Sequence, residues 1–136
     1  MQYTTLPGTD LAVSRIAMGC WALAGDMTWG PQDEAAGIAA IHAALDAGIN
    51  FFDTAEAYGN GISEQMLGKA LAGARDRAIV ASKFNLDHSA AEQVAAACHR
   101  SLERLNADRI DLYQIHWPSR ETPREETWRA LERLRD

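Results

Sequence analysis

The chain has 136 residues, 47% of them hydrophobic and 24% charged, with a formal net charge of −6. One domain of this length buries roughly two thirds of its unfolded surface, and the composition is that of a globular protein rather than a disordered one. The acidic balance argues against nucleic acid or anionic membranes as partners.

The segment "QYTTLPGTDLAVS" reads as two short strands about a glycine turn, an N-terminal hairpin over about 2–14. "RIAMGCW" (15–21) is the first strand of a repeating series. A helix follows from about Asp33 to Ala47, with Ile38, Ile41 and Leu45 on one face and Gly48 as its stop. "INFFDTA" (49–55) is the second strand, and a helix begins near Ser63 with Met66, Leu67, Ala70 and Leu71 as its buried stripe. "AIVASKF" (78–84) is the third strand. Ser89 and Glu92 form a capping box that opens a helix with Val94, Cys98, Leu102 and Leu105 facing inward. "IDLYQIHW" (110–117) is the fourth strand. Thr122, Pro123 and Glu125 open a last helix, with Trp128, Leu131 and Leu134 inward.

Cys20, Asp53, Lys83 and His116 fall at strand ends spaced 33, 30 and 33 residues apart. Repeated βα units of this length imply a parallel sheet, doubly wound or closed into a (β/α)8 barrel. No G-x-G-x-x-G follows the first strand, so the barrel is favoured. Four units are present where eight close a barrel, and the chain stops at Asp136 inside an uncapped helix. The fold class expected is therefore α/β, the N-terminal half of a (β/α)8 TIM barrel over 1–136, truncated. Open strand edges in such a half invite self-association.

Two cysteines without a CxxC spacing suggest small buried fillers, not a disulfide or a metal site. "MQYTTLPG" lacks a secretory signal, and the most apolar window, 35–52, is broken by His42 and Asp46. A cytoplasmic location is expected. His42, His88 and His99 are expected to be structural, and Glu64 to favour its helix N-terminus and to brace the neighbouring loop.

In a parallel βα array the strands point one way, so Asp53, Lys83 and His116 reach a common rim, with Tyr58 in the loop just beyond Asp53. Their chemistry is complementary. A phenol ionises near pH 10, and an ammonium about 4 Å away at an effective dielectric near 20 favours the phenolate by about 4 kcal/mol. Lys83 supplies such an ammonium, Asp53 keeps it charged and placed, and His116 donates a hydrogen bond to a substrate oxygen. The set is a proton donor with an oxyanion clamp that needs a hydride source.

"GCWALAG", "GINFFDTAEAYGNGISEQMLGKAL", "VASKF" and "DLYQIHWP", in that order, resemble the N-terminal half of the aldo-keto reductases. These are NADP(H)-dependent (β/α)8 barrels that interconvert carbonyls and alcohols. The resemblance implies that Asp53, Tyr58, Lys83 and His116 are the catalytic tetrad, with Tyr58 as general acid/base. It implies that Trp21 and Asp53 lie near the nicotinamide, that Trp21, Trp29, Tyr58 and Trp117 line the substrate mouth, and that the substrate is a small carbonyl compound. The glycine-rich "GCWALAGDMTWG" and "NGISE" resemble the longer loops of the bacterial and channel-subunit-like branches. The family's later strands, which hold most of the dinucleotide, have no counterpart here. The rival expectation is a non-catalytic half-barrel that binds a partner or acts as a regulatory subunit.

Overall fold

A computed structural model describes residues 1–135. Strands β1 (Tyr3–Thr5) and β2 (Ala12–Ser14) form an antiparallel hairpin, Tyr3 opposite Ser14. It is fastened to the N-terminal end of the main sheet by Asn50. The Asn50 side chain accepts from Ser14 N–H at 2.7 Å and donates to Ala12 O at 2.9 Å.

The main sheet has four parallel strands in chain order: β3 (Met18–Gly19), β4 (Phe51–Asp53), β5 (Ile79–Phe84) and β6 (Leu112–Ile115). Helices α1 (Glu34–Asp46), α2 (Ile62–Ala70), α3 (Ala91–Leu105) and α4 (Arg124–Arg135) follow the strands in turn. Alternation along each strand divides the side chains. Phe52, Val80, Ser82 and Phe84 turn towards the helices and are fully buried. Phe52 and Val80 join Ile41, Leu45, Met66 and Leu67 in one cluster, and Phe84 joins Val94, Ala97 and Ala130 in another. Burial of each large side chain contributes about 1.5–3 kcal/mol. The opposite face carries Phe51, Asp53, Ile79, Lys83, Leu112 and Gln114, all only half-buried.

Four local expectations are corrected. The first strand spans only Met18–Gly19, because Trp21–Ala24 winds into a 3-10 turn that ends on left-handed Gly25. The capping box at Ser89 and Glu92 does not form. Ser89 Oγ donates instead to Leu86 O, and the first N–H of α3, at Ala91, is capped from the next helix by Glu126 Oε1 at 3.0 Å. Trp128 is 59% exposed and Leu134 also lies outside, so the buried face of α4 is made by Thr127 and Ala130. In α3 the inward positions are Val94, Ala97, Ser101 and Leu105, with Cys98 and Leu102 at the margin. Asp33 does cap α1, accepting from Ala36 N–H at 2.8 Å, and the chain turns at Gly48 with φ +86.

Candidate active site

Register fixes how the rim residues meet. Gly19, Asp53, Ala81 and Leu112 share one rung of the sheet, while Lys83 lies level with Gln114. Lys83 thus stands two residues beyond the rung of Asp53, and His116 follows just past the end of β6, its N–H donating to Phe84 O at 3.1 Å. The candidates climb diagonally from strand to strand. Strand tilt in a barrel brings such a diagonal towards one rim.

Lys83 is the centre. Its side chain is 13% exposed, and its Nζ donates to Asp53 Oδ2 at 2.8 Å, Thr54 O at 2.9 Å and Tyr58 Oη at 3.2 Å. An ammonium has three protons, and all three find oxygens. Nζ also lies over the Tyr58 ring, 4.9 Å from its centroid.

Aromatic rings surround the phenol. Trp21 stacks on Tyr58 at 5.9 Å, and Trp29 meets Trp21 edge-on at 5.7 Å. His116 stands edge-on to Tyr58 at 5.6 Å and stacks on Trp117 at 3.5 Å. Trp21 is locked by its indole N–H, which donates to Asp26 Oδ2 at 2.7 Å. Burial, then the Lys83 ammonium, holds His116 below the ordinary imidazole value, against an upward pull from Asp53 and Glu56. Its Nδ1 is buried and makes no hydrogen bond. An N–H there would be a buried donor without an acceptor, so the neutral ring carries its proton on Nε2. The structure therefore brings Asp53, Tyr58, Lys83 and His116 together, with Trp21, Trp29 and Trp117 around them.

Behind the sheet a second polar layer holds the site. Thr54 Oγ1 meets Ser63 Oγ at 2.8 Å, and Ser63 Oγ donates to Cys20 O at 2.8 Å. Glu64 is fully buried; it accepts from Ser82 Oγ at 2.6 Å and pairs with Arg104 Nη1 at 3.0 Å. The Arg104 guanidinium packs against Gly61, where a Cβ would lie 2.6 Å from its Nε. Glu64 thus stands in the first turn of α2 as expected, but its partners are Ser82 and Arg104. His42 Nε2 lies 2.8 Å from Ala70 O, a structural contact. Cys20 is buried without a disulfide, its thiol pushed up to about 12, first by burial and then by Asp53. Neither Glu56 nor Asp26 falls on the strand-end pattern that marks the rim in the sequence. Asp26 carries a usable signal, an acid before a turn between two tryptophans, whereas the partners of Glu56 lie some thirty residues away.

Parallel βα units in this order define the N-terminal half of a TIM barrel. The chain belongs to the aldo/keto reductase family, whose family model matches residues 15–136. It is 44% identical to the aldo-keto reductase YhdN of Bacillus subtilis, over 100% of this chain and 44% of that protein. Among solved structures, the holo form of aldo-keto reductase AKR11C1 from Bacillus halodurans matches with a TM-score of 0.89 and 34% identity, over 99% of this chain and 46% of that one. An aldo-keto reductase from Klebsiella pneumoniae, solved with NADPH, matches with a TM-score of 0.86 and 34% identity, over 98% and 46%. The chain spans about half the length of these relatives. No helix among the described residues is long and apolar enough to cross a membrane.

Proposed function

We propose that this chain carries the proton-transfer machinery of an NADP(H)-dependent reductase that converts aldehydes or ketones to alcohols. The observation that supports it most is the single ammonium bonded at once to Asp53 at 2.8 Å and to the Tyr58 phenol at 3.2 Å. His116 donates Nε2–H to the carbonyl oxygen and orients it. Tyr58 Oη gives its proton to that oxygen as the C=O bond is reduced, and Lys83 stabilises the phenolate left behind. Asp53 keeps the ammonium in place. Solvent returns the proton to Tyr58.

The donor chemistry of the rim suits the nicotinamide end of the dinucleotide. The half-exposed Asp53 carboxylate can meet an amide N–H, and Trp21 offers a flat apolar wall. When bound, the reduced cofactor supplies the hydride that the carbonyl carbon receives. Trp21, Trp29 and Trp117 line the mouth through which a small carbonyl compound enters.

In the protein carrying this chain, Tyr58→Phe is expected to lower kcat for NADPH-dependent aldehyde reduction by about 10²–10⁴-fold, while NADPH still quenches tryptophan emission. Near-normal turnover in Tyr58→Phe would refute the assignment. Failure of NADPH to bind would favour a partner-binding role without catalysis.

A further inference from the structure

Glu56 lies between Asp53 and Tyr58 in the chain, yet no proton-transfer step uses it. It is only 4% exposed, and a buried carboxylate persists only where its oxygens are satisfied. Glu56 Oε1 accepts from Asn85 N–H at 2.6 Å and faces His88 Nδ1 at 2.7 Å. His88 Nε2 in turn lies 3.3 Å from Arg100 Nη2. The Glu56 backbone N–H donates to Lys83 O at 3.1 Å. Both ends of this residue therefore grip the segment that carries Lys83. The spacing is symmetrical: Glu56 precedes Tyr58 by two residues, and Asn85 follows Lys83 by two. The Glu56–Asn85 bond runs beside the Tyr58–Lys83 contact as a cross-link between the same two segments.

The tyrosine loop needs such an anchor. Gly59, Asn60 and Gly61 take φ values of +58, +52 and +92 in succession. A left-handed conformation at a residue with a side chain, here Asn60, is strained and persists only where its surroundings hold it. On the far side of this turn the Arg104 guanidinium packs on Gly61. On the near side stands the buried acid Glu56.

We propose that Glu56 is a positioning residue that holds the Tyr58 phenol against the Lys83 ammonium, with His88 and Arg100 keeping its carboxylate turned towards Asn85. The proposal rests on reading the rim as a carbonyl-reduction site, but its geometric content can be tested apart from turnover. Lys69 and Lys83 are the only lysines of these 136 residues, so lysine-selective 13C labelling, with Lys69→Arg and Lys83→Arg to assign the signals, identifies their two ε-CH2 groups. The Lys83 ammonium lies over the Tyr58 ring, whose ring current moves the Lys83 signal away from that of Lys69. Tyr58→Ala assigns that displacement.

Glu56→Ala is expected to collapse the Lys83 displacement and to lower kcat by roughly 10–100-fold, as a misplaced reacting group does, with KM little changed. Glu56→Gln, which keeps an acceptor for Asn85 N–H, is expected to retain most of the displacement and of the turnover. A folded Glu56→Ala with the wild-type Lys83 signal and turnover overturns the proposal, as does Glu56→Gln behaving like Glu56→Ala. If Glu56→Ala does not fold, His88→Ala decides: partial loss of the displacement supports the clamp, and an unchanged signal overturns it. If Tyr58→Phe proves harmless to turnover, the catalytic reading fails while the lysine signal still reports on the clamp.

Discussion

Lys83 determines the electrostatics of its neighbours as well as its own bonds. Its charge helps to keep His116 neutral, and the ordering of causes gives a sign. An unfolded histidine takes up its proton near pH 6.5, whereas folded His116 does so lower. The stability contributed by the neutral ring is therefore complete above about pH 6.5 and declines as pH falls from there through the folded value. NMR titration should place the His116 midpoint below about 6.5, and Lys83→Met should move it upward; a midpoint that ignores the lysine would contradict the field described here. Cys20 gives a second prediction at this scale. With its thiol at about 12 and no exposed surface, it should resist alkylation in the folded protein and react only on unfolding, as mass spectrometry of labelled peptides would show. The rim residues were legible because acid, phenol, amine and imidazole each stand out at strand ends. Glu56 was not, because its role lies in bonds to Asn85 and His88, which only folding brings close.

Helices in this chain are decided by what they touch more than by their own propensities. Gly68 and Gly37 make the point by contrast. An alanine in a helix is ordinarily favoured over glycine by about 0.5–1 kcal/mol. At Gly68, however, a Cβ would lie 2.4 Å from the Leu105 carbonyl oxygen, so α2 and α3 approach through that glycine. Gly68→Ala should cost about 1–3 kcal/mol of overpacking. At Gly37 the obstacle is the Met66 thioether, also at 2.4 Å, a flexible side chain that can move aside. Gly37→Ala should be close to neutral. Urea denaturation of the two variants should separate them, and equal effects would show that backbone contact is not the cause. The periodicity of the sequence located all four helices, since each buries a stripe against the sheet. The α3 cap was missed because Glu126 reaches it from another helix, and a local S-x-x-E pattern cannot compete with a carboxylate supplied by tertiary packing.

At the scale of the molecule, the four-stranded order β3-β4-β5-β6 leaves the outer edges of β3 and β6 without a strand beside them among the described residues. The inner face, with Phe51, Ile79 and Leu112, is only half-covered. Unpaired edges beside apolar surface promote pairing, with further strands of the same protein or with another chain. The repeat of strand and helix made the parallel architecture readable in advance. The diagonal climb of the rim residues was not, because pairing register depends on neighbours that a single strand does not reveal.

The hydroxyl and carboxylate links behind the sheet have one more consequence. Ser63 is pegged to Thr54 and to the Cys20 carbonyl, and Glu64 to Ser82 and Arg104. Oily side chains tolerate small slips, but these pegs do not: sliding α2 by one residue would strand a buried acid. The helix is indexed like a gear tooth. Extra residues inserted between Tyr58 and Ser63 should therefore bulge outward over the entrance instead of shifting the helix, which makes that short span the place where accessory length can be added while the framework stays still.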